Sequence, residues 1–178
     1  MKIQSQFITI ALACMCMASQ LQADWKRDLS EQLPLLGHRN WVVVADSAYP
    51  LQTAPGIETI YVGGDHVGVV SDVLELLKAQ KHVRPVIFID SELEHVDEAD
   101  APGIDAVRKE LTSLLKSRAA QSLAHEAIIK QLDEAGESFK VVIIKTDLVL
   151  PYTSVFIRLD CGFWSGEAES KLRDSMEQ

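Results

Sequence analysis

Three side chains that can exchange protons with a hydroxyl group lie next to the ends of apolar runs. His38 comes shortly before the run WVVVAD, Asp46 ends that run, and Tyr152 begins the later run YTSVFIRL. Histidine titrates near neutral pH, a carboxylate can orient a histidine or bind hydroxyl groups, and a tyrosine can hydrogen-bond to an oxygen. Together these groups suit general acid–base catalysis, although each residue taken singly is more readily explained by a structural role.

Motifs for other chemistries are missing from the sequence or incomplete. It contains no H-E-x-x-H, C-x-x-C or EF-hand pattern, so no metal site is expected. It also lacks the G-x-S-x-G elbow of serine hydrolases. Cys161 could act as a nucleophile with His38 as its base, but a single cysteine after a strand is usually packed. The run YVGGDHVG lacks the spacing of a phosphate-binding loop, and we interpret it as a strand-to-helix turn capped by Asp65.

The other ionisable residues are interpreted as surface groups. Four further histidines are scattered along the chain, which is typical of surface or helix-capping positions; they are His66, His82, His95 and His125. The acidic segment 90–103, DSELEHVDEADAPG, lacks the glycine-centred spacing of a calcium loop. We expect it to be a solvated loop.

The elements that must position these residues alternate between strands and helices. Strands are predicted at 41–46, 59–62, 85–90, 139–145 and 152–159, and helices over 69–80, 104–115, 122–136 and from 166 onward. Ser122 is a candidate N-cap and Gly136 a stop for the third helix, and Ser165 can cap the fourth. Continuous β-branched runs are typical of a sheet that is buried on both faces. We therefore expect a single-domain α/β fold with a mixed or mostly parallel central sheet and helices on both faces.

Polar residues at the strand ends are the strongest functional candidates, because ligands of open α/β sheets bind there. These residues are His38, Asp46, Lys145, Asp147 and Tyr152.

The first 23 residues predict a secretory signal peptide, which places the domain at 24–178. Lys2 is followed by an apolar stretch over 7–18 and by small and polar residues up to Ala23. A membrane anchor is the alternative, although the stretch is short for a span of about 20 residues; lipid attachment at Cys14 or Cys16 is a weaker one. We expect an exported protein, periplasmic or secreted.

The composition of the chain after removal of the signal peptide limits its disulfides and its binding partners. Cys161 would be the only cysteine, so no internal disulfide is expected. The formal net charge of the whole chain is −9, and it becomes more negative without Lys2. Such an acidic protein is a poor candidate for binding nucleic acid or an anionic membrane.

Two segments resemble the D-ribose pyranase / L-fucose mutarotase family (RbsD/FucU-like proteins). GHRNWVVVADSAYP is similar to the family's N-terminal signature, in which Gly-His precedes a strand that ends in Asp, and the spacing from His38 to Asp46 matches. LPYTSVFIRLDCG is similar to the family's closing strand, which begins with Tyr-x-Asn. Here Ser154 occupies the asparagine position, Asn40 stands where the family often has Asp, and the segment before Tyr152 is short.

The resemblance implies roles for these residues. His38 is then the acid/base group, Asp46 binds sugar hydroxyls or supports the histidine, and Tyr152 contacts the sugar near its ring oxygen or anomeric hydroxyl. Further substrate contacts are expected from four residues: Ser154, Lys145, Tyr49 and Asn40. The family uses no metal or organic cofactor, acts on free monosaccharides and assembles as rings, commonly decamers.

We therefore predict a monosaccharide mutarotase or pyranase-like isomerase that forms a homo-oligomer. Two alternatives stay open: a sugar-binding protein that has lost catalysis, and a scaffold protein that binds no sugar. An extended strand would hold His38 and Asp46 roughly 20 Å or more apart, at about 3.3 Å per residue. The sequence therefore predicts either a sharp bend after Gly37 or a site shared between copies.

Overall fold

Six strands form one sheet in the computed structural model, which describes residues 25–176. The strands are β1 (Trp41–Ala45), β2 (Ile57–Tyr61), β3 (Val83–Asp90), β4 (Gln121–Leu123), β5 (Val141–Lys145) and β6 (Val155–Cys161). They lie in the order β2–β5–β1–β6–β3–β4. β6 runs antiparallel to β1 and β3, whereas the other neighbouring strands are parallel. The predicted mixed α/β sheet is confirmed.

Helices cover both faces of the sheet. They are α1 (25–32), α2 (His66–Lys78), α3 (Ile104–Leu115), α4 (His125–Ser138) and α5 (Gly166–Met176), with 3₁₀ helices at Leu33–Leu35 and Ser91–His95. Alternate residues of β1 point to opposite faces. Val42 and Val44 pack in the core that includes α1, α2 and α3, and Trp41 and Val43 pack with α4. α5 contributes no buried residue.

Two of the predicted helix caps are confirmed. The Asp65 carboxylate accepts a hydrogen bond from the backbone N–H of Gly68 at 3.0 Å, at the start of α2. The Ser165 hydroxyl accepts one from the N–H of Ala168 at 3.1 Å, at the start of α5. Both satisfy donors that the first turn of a helix leaves free.

The predicted N-cap at Ser122 is wrong, because residues around it form a strand. β4 pairs in parallel with the end of β3, where Ile89 lies opposite Ser122 and Asp90 opposite Leu123. This pairing satisfies backbone groups at the outer side of β3. α4 then begins at His125, with Ala124 at the cap position.

Gly136 is also not a helix stop, since α4 continues to Ser138. Its role is close packing. A Cβ at Gly136 would lie 2.8 Å from Ile57 Cδ1, and a Cβ at Gly56 would lie 2.4 Å from the carbonyl oxygen of Gly136. The N–H of Gly56 donates to that oxygen at 3.2 Å. Glycine at both positions lets the entry to β2 pass directly against α4.

The predicted signal peptide, residues 1–23, lies outside the described residues. Among residues 25–176, no helix is both long enough and apolar enough to cross a membrane.

Candidate active site

One edge of the sheet gathers several of the predicted site residues. Asp46 follows β1, Lys145 ends β5, and Tyr152 and Ser154 precede β6. Parallel strands end at the same edge, and an antiparallel strand starts there. The reversed direction of β6 therefore brings Tyr152 and Ser154 beside Asp46, as its pairing of Val155 with Val44 requires.

The Asp46 carboxylate is held in a fixed position at this edge. The Ser154 hydroxyl donates to Asp46 Oδ2 at 2.8 Å and lies 3.2 Å from the backbone nitrogen of Asp46. The backbone N–H of Ala48 donates to Asp46 Oδ1 at 2.8 Å. Ser154 is buried and Asp46 is half-buried, so the pair is part of the wall of the site.

Lys145 and Tyr49 are hydrogen-bonded to each other at the same edge. The ammonium group of Lys145 donates to the backbone oxygen of Tyr49 at 2.6 Å. The Tyr49 side chain is buried, and its hydroxyl donates to Gln52 at 3.3 Å. Burial and the nearby carboxylate of Asp133 raise the pKa of Tyr49, so its phenol stays neutral.

His38 lies at the opposite edge of the sheet, before β1 begins. Its Nδ1 is 3.0 Å from Asp160 Oδ1 near the end of β6, and Asp160 also binds Arg84. The imidazole is well exposed. Within one copy, the structure brings Asp46 and Tyr152 to one edge and leaves His38 at the other.

Asn40 also lies at the His38 edge, where it stabilises the turn into β1. Its side-chain oxygen accepts from the N–H of Gly37 at 2.6 Å, and its amide donates to the carbonyl of Lys140 at 3.2 Å. Arg39, inside this turn, has a positive φ of 76°.

The predicted solvated loop at 90–103 is wrong in its first part, because Asp90 is only 1% exposed and Ser91–His95 form a 3₁₀ helix in which Leu93 is buried. Its Oδ1 lies 3.1 Å from His125 Nδ1. Its Oδ2 has no hydrogen-bond partner among the described residues. Burial raises the pKa of Asp90 to about 6, against the opposing effect of His125. A carboxyl group of this kind gains and loses its proton close to neutral pH.

His125 belongs to the same edge, at the first position of α4. Its backbone N–H donates to both oxygens of the Glu92 carboxylate, at 3.0 and 3.1 Å. The ring makes an edge-on contact with the Tyr152 ring, with centroids 5.6 Å apart. Nε2 makes no hydrogen bond to any residue in 25–176. The imidazole thus lies between a buried carboxyl group and a tyrosine that is 39% exposed.

The sequence did carry a signal for Asp90. The run PVIFID ends in aspartate at the end of β3 just as WVVVAD ends in aspartate after β1. Because β1 and β3 are parallel strands on either side of β6, the two carboxylates meet at one edge. His125 has no such signal, since its position depends on β4 preceding α4.

His66 is buried and structural, contrary to its prediction as a surface or capping residue. Nδ1 lies 2.8 Å from the Thr146 hydroxyl oxygen and Nε2 lies 2.8 Å from the Thr153 carbonyl oxygen. Burial lowers the pKa of His66, which favours the neutral ring. These bonds tie α2 to both ends of the segment between β5 and β6.

Asp147 holds the neighbouring loop. Its carboxylate accepts hydrogen bonds from the Tyr61 hydroxyl at 2.5 Å and from the backbone N–H of Gly64 at 3.0 Å. The bond from Tyr61 lowers the pKa of Asp147. Among residues 25–176, no group of three or more His, Cys, Asp or Glu side chains is placed to hold a metal ion.

The family model of the RbsD / FucU transport protein family matches residues 24–162. The chain belongs to this family. No curated protein matches it by sequence. The family match ends before α5, so the last described helix lies beyond the shared domain.

Solved structures resemble the chain in fold. RbsD of Bacillus subtilis complexed with D-ribose has a TM-score of 0.51 at 19% identity, covering 78% of this chain and 93% of that one. The fucose mutarotase of Streptococcus pneumoniae in complex with L-fucose has a TM-score of 0.49 at 16% identity, covering 74% and 89%. The first likeness supports the family's α/β fold for this chain.

Proposed function

We propose that the protein is an isomerase of the mutarotase or pyranase type, which interconverts the ring forms or anomers of a free sugar. The observation that carries this proposal is the contact of the buried Asp90 with the half-buried His125 beside Tyr152, on the sheet edge that also holds Asp46. Membership of the RbsD/FucU family supports it, as does the D-ribose bound to the Bacillus subtilis protein.

The residues at this edge match the chemistry that a hemiacetal needs. Ring opening removes a proton from the anomeric hydroxyl and delivers one to the ring oxygen, and closure reverses both transfers. His125, oriented through Nδ1 by Asp90, offers Nε2 as a proton carrier. Tyr152 can hydrogen-bond to the ring oxygen, and Asp46 can accept hydrogen bonds from the sugar hydroxyls.

His38 enters the proposal through a second copy of the chain. The resemblance implies that His38 is the acid/base group, yet β1 separates it from Asp46 in each copy. We infer a homo-oligomer in which the His38–Asp160 pair of one copy faces Asp46 and Tyr152 of its neighbour. The exposed imidazole of His38 is available for such a contact.

NMR exchange spectroscopy tests the catalytic proposal directly. Purified protein is expected to accelerate exchange between the anomers of at least one of ribose, fucose, galactose and glucose. Heat-denatured protein at the same concentration is the control. No acceleration for any of these sugars would sink the proposal.

A sugar-binding protein without catalysis is the second candidate. It is favoured by the internal bonds that occupy Asp46 and Lys145 and by serine at the position where the family has asparagine. Calorimetry that detects sugar binding, together with no anomer exchange, would select this candidate. No binding of any sugar would instead favour a scaffold protein.

Export is proposed from the N-terminal sequence alone. N-terminal sequencing of protein recovered from outside the cytoplasm should begin at Asp24 if cleavage follows Ala23. A mature chain that starts at Met1 would contradict the predicted signal peptide.

A further inference from the structure

α5 and the residues just before it line one side of a cavity and lie beyond the part of the chain that the family model matches. The cavity has a volume of about 500 Å³ and lies between the turn at 37–39, the end of β6 and the first turns of α5. His38 and Asp160 line one side of it, and Trp164, Glu169 and Arg173 line the other. The last three residues lie beyond the family match.

Trp164 is held in place by a charged cluster. Its indole N–H donates to Glu169 Oε2 at 2.8 Å, and Arg173 Nε donates to Glu169 Oε1 at 2.7 Å. The bonds from Trp164 and Arg173 lower the pKa of Glu169, so the carboxylate remains charged. The indole is nevertheless 43% exposed, which leaves ring surface available to a ligand.

A second cavity adjoins the first. It has a volume of about 460 Å³ and is lined by residues that include Arg84, Phe163 and Ala168. Trp164 lines both cavities. The two cavities are adjacent, since Cys161, Trp164 and Ser165 line both, and we call them together the groove. His38 lines the first of them.

The side chains along this groove suit a sugar. An aromatic ring offers a large apolar face to the C–H groups of a pyranose and uses its polar end for a fixed hydrogen bond. Charged carboxylate and guanidinium groups make the stronger hydrogen bonds to hydroxyls. Pockets for drug-sized ligands measure about 300–1,000 Å³, so the groove has room for more than a single pyranose ring.

We propose that α5 adds a subsite for a second sugar unit, so that the protein takes the reducing end of a disaccharide or longer saccharide. This inference rests on the proposed function, because it places the reducing ring at His38. The reaction there is unchanged. The bond from the anomeric carbon to the ring oxygen breaks, the anomeric hydroxyl loses a proton and the ring oxygen gains one. The second sugar unit only binds.

Calorimetry with the full chain tests the subsite. Maltose and lactose are compared with glucose and galactose, first on the unmodified protein and then on two variants. Trp164→Ala removes the indole. Leu172→Ala is the matched control, because Leu172 lies on the helix that follows Trp164, is also 43% exposed and lines neither cavity. Since Trp164 and Leu172 are both exposed, both variants are expected to fold.

The unmodified chain is expected to bind at least one disaccharide about tenfold more tightly than the monosaccharides, a gain that stacking on one aromatic ring can supply. Trp164→Ala should abolish this preference and Leu172→Ala should keep it. Equal affinity for both sugar classes would overturn the subsite, and so would a preference that survives Trp164→Ala.

Two further results separate the subsite from the proposed function. Disaccharide preference without anomer exchange supports the subsite and overturns the isomerase. Anomer exchange without disaccharide preference supports the isomerase and overturns the subsite.

Discussion

At the scale of single residues, Asp90 is the most unusual group in the site. One carboxylate oxygen lies beside His125, and the other has no hydrogen-bond partner among the described residues. Burial raises its pKa to about 6, so the free energy of folding includes a cost for ionising it. Such a cost is typical of groups whose proton transfer serves a function.

Asp90→Asn is expected to change how stability depends on pH. In the native protein the folded state binds the Asp90 proton more tightly, so stability falls as pH rises from about 4 to about 6. The neutral amide lacks this cost. Between pH 4 and pH 7 the free energy of unfolding of the variant should rise by about 2–3 kcal/mol relative to that of the unmodified protein. This gain corresponds to the shift of the Asp90 pKa to about 6. Urea unfolding at several pH values measures this difference in stability. If stability depended on pH in the same way in both proteins, Asp90 would not be the cause of the pH dependence.

His125→Gln tests the proton carrier. The amide can still bond to Asp90 but cannot transfer a proton, so anomer exchange should slow by about 10²–10⁴-fold while sugar binding is largely retained. His95→Ala is the control, because His95 is exposed on the neighbouring 3₁₀ helix. NMR exchange rates at saturating sugar give the comparison. An unchanged rate in the glutamine variant would remove His125 from the mechanism.

At the scale of elements, the approach between α4 and the entry to β2 depends on two glycines. A Cβ added at Gly56 would lie 2.2 Å from the Phe139 carbonyl oxygen and 2.4 Å from that of Gly136. Both neighbours are backbone atoms, which cannot rotate away as a side chain can. His125 lies at the start of α4. The close approach of α4 to β2 therefore also helps to position His125.

Gly56→Ala is therefore expected to destabilise the protein by about 3 kcal/mol through this overlap. Gly37→Ala is the matched control, since a Cβ there meets no atom within 4 Å, and its effect should stay within about 0.5 kcal/mol. Urea unfolding of both variants provides the measurement. Equal stabilities would show that α4 can shift without cost.

The elements that the sequence predicted well are those with long apolar patterns. The buried runs of β1, β3 and β5 and the helical spacing in α2 and α3 are visible locally. β4 is only three residues long, with two of them exposed, so it has no pattern of its own and exists through its pairing with β3. The position of His125 could not be predicted from the sequence for the same reason, because it follows from the pairing of β4 with β3.

At the scale of the whole molecule, the sheet separates the predicted site residues. His38 and Asp46 were identified from a resemblance in sequence, which carries no information about distance. The strand length predicted their separation, and the structure places them at opposite edges.

Mixing two defective variants tests the shared site. His38→Ala and Asp46→Ala should each lack anomer exchange while assembling like the unmodified protein, as judged by light scattering. After unfolding and refolding together, mixed assemblies would pair an intact Asp46 with an intact His38 of a neighbour, and part of the activity should return. His38→Ala refolded alone is the control. A mixture that stays inactive would show that the site belongs to one copy.

The position of β6 has a consequence for how the chain is made. It is the last strand of the described chain, yet it lies between β1 and β3 in the middle of the sheet. During synthesis β2, β5 and β1 can pair, and so can β3 and β4, but none of the strands within 25–176 joins the two groups until 155–161 leave the ribosome. A chain truncated before residue 155 is thus expected to lose cooperative unfolding in urea.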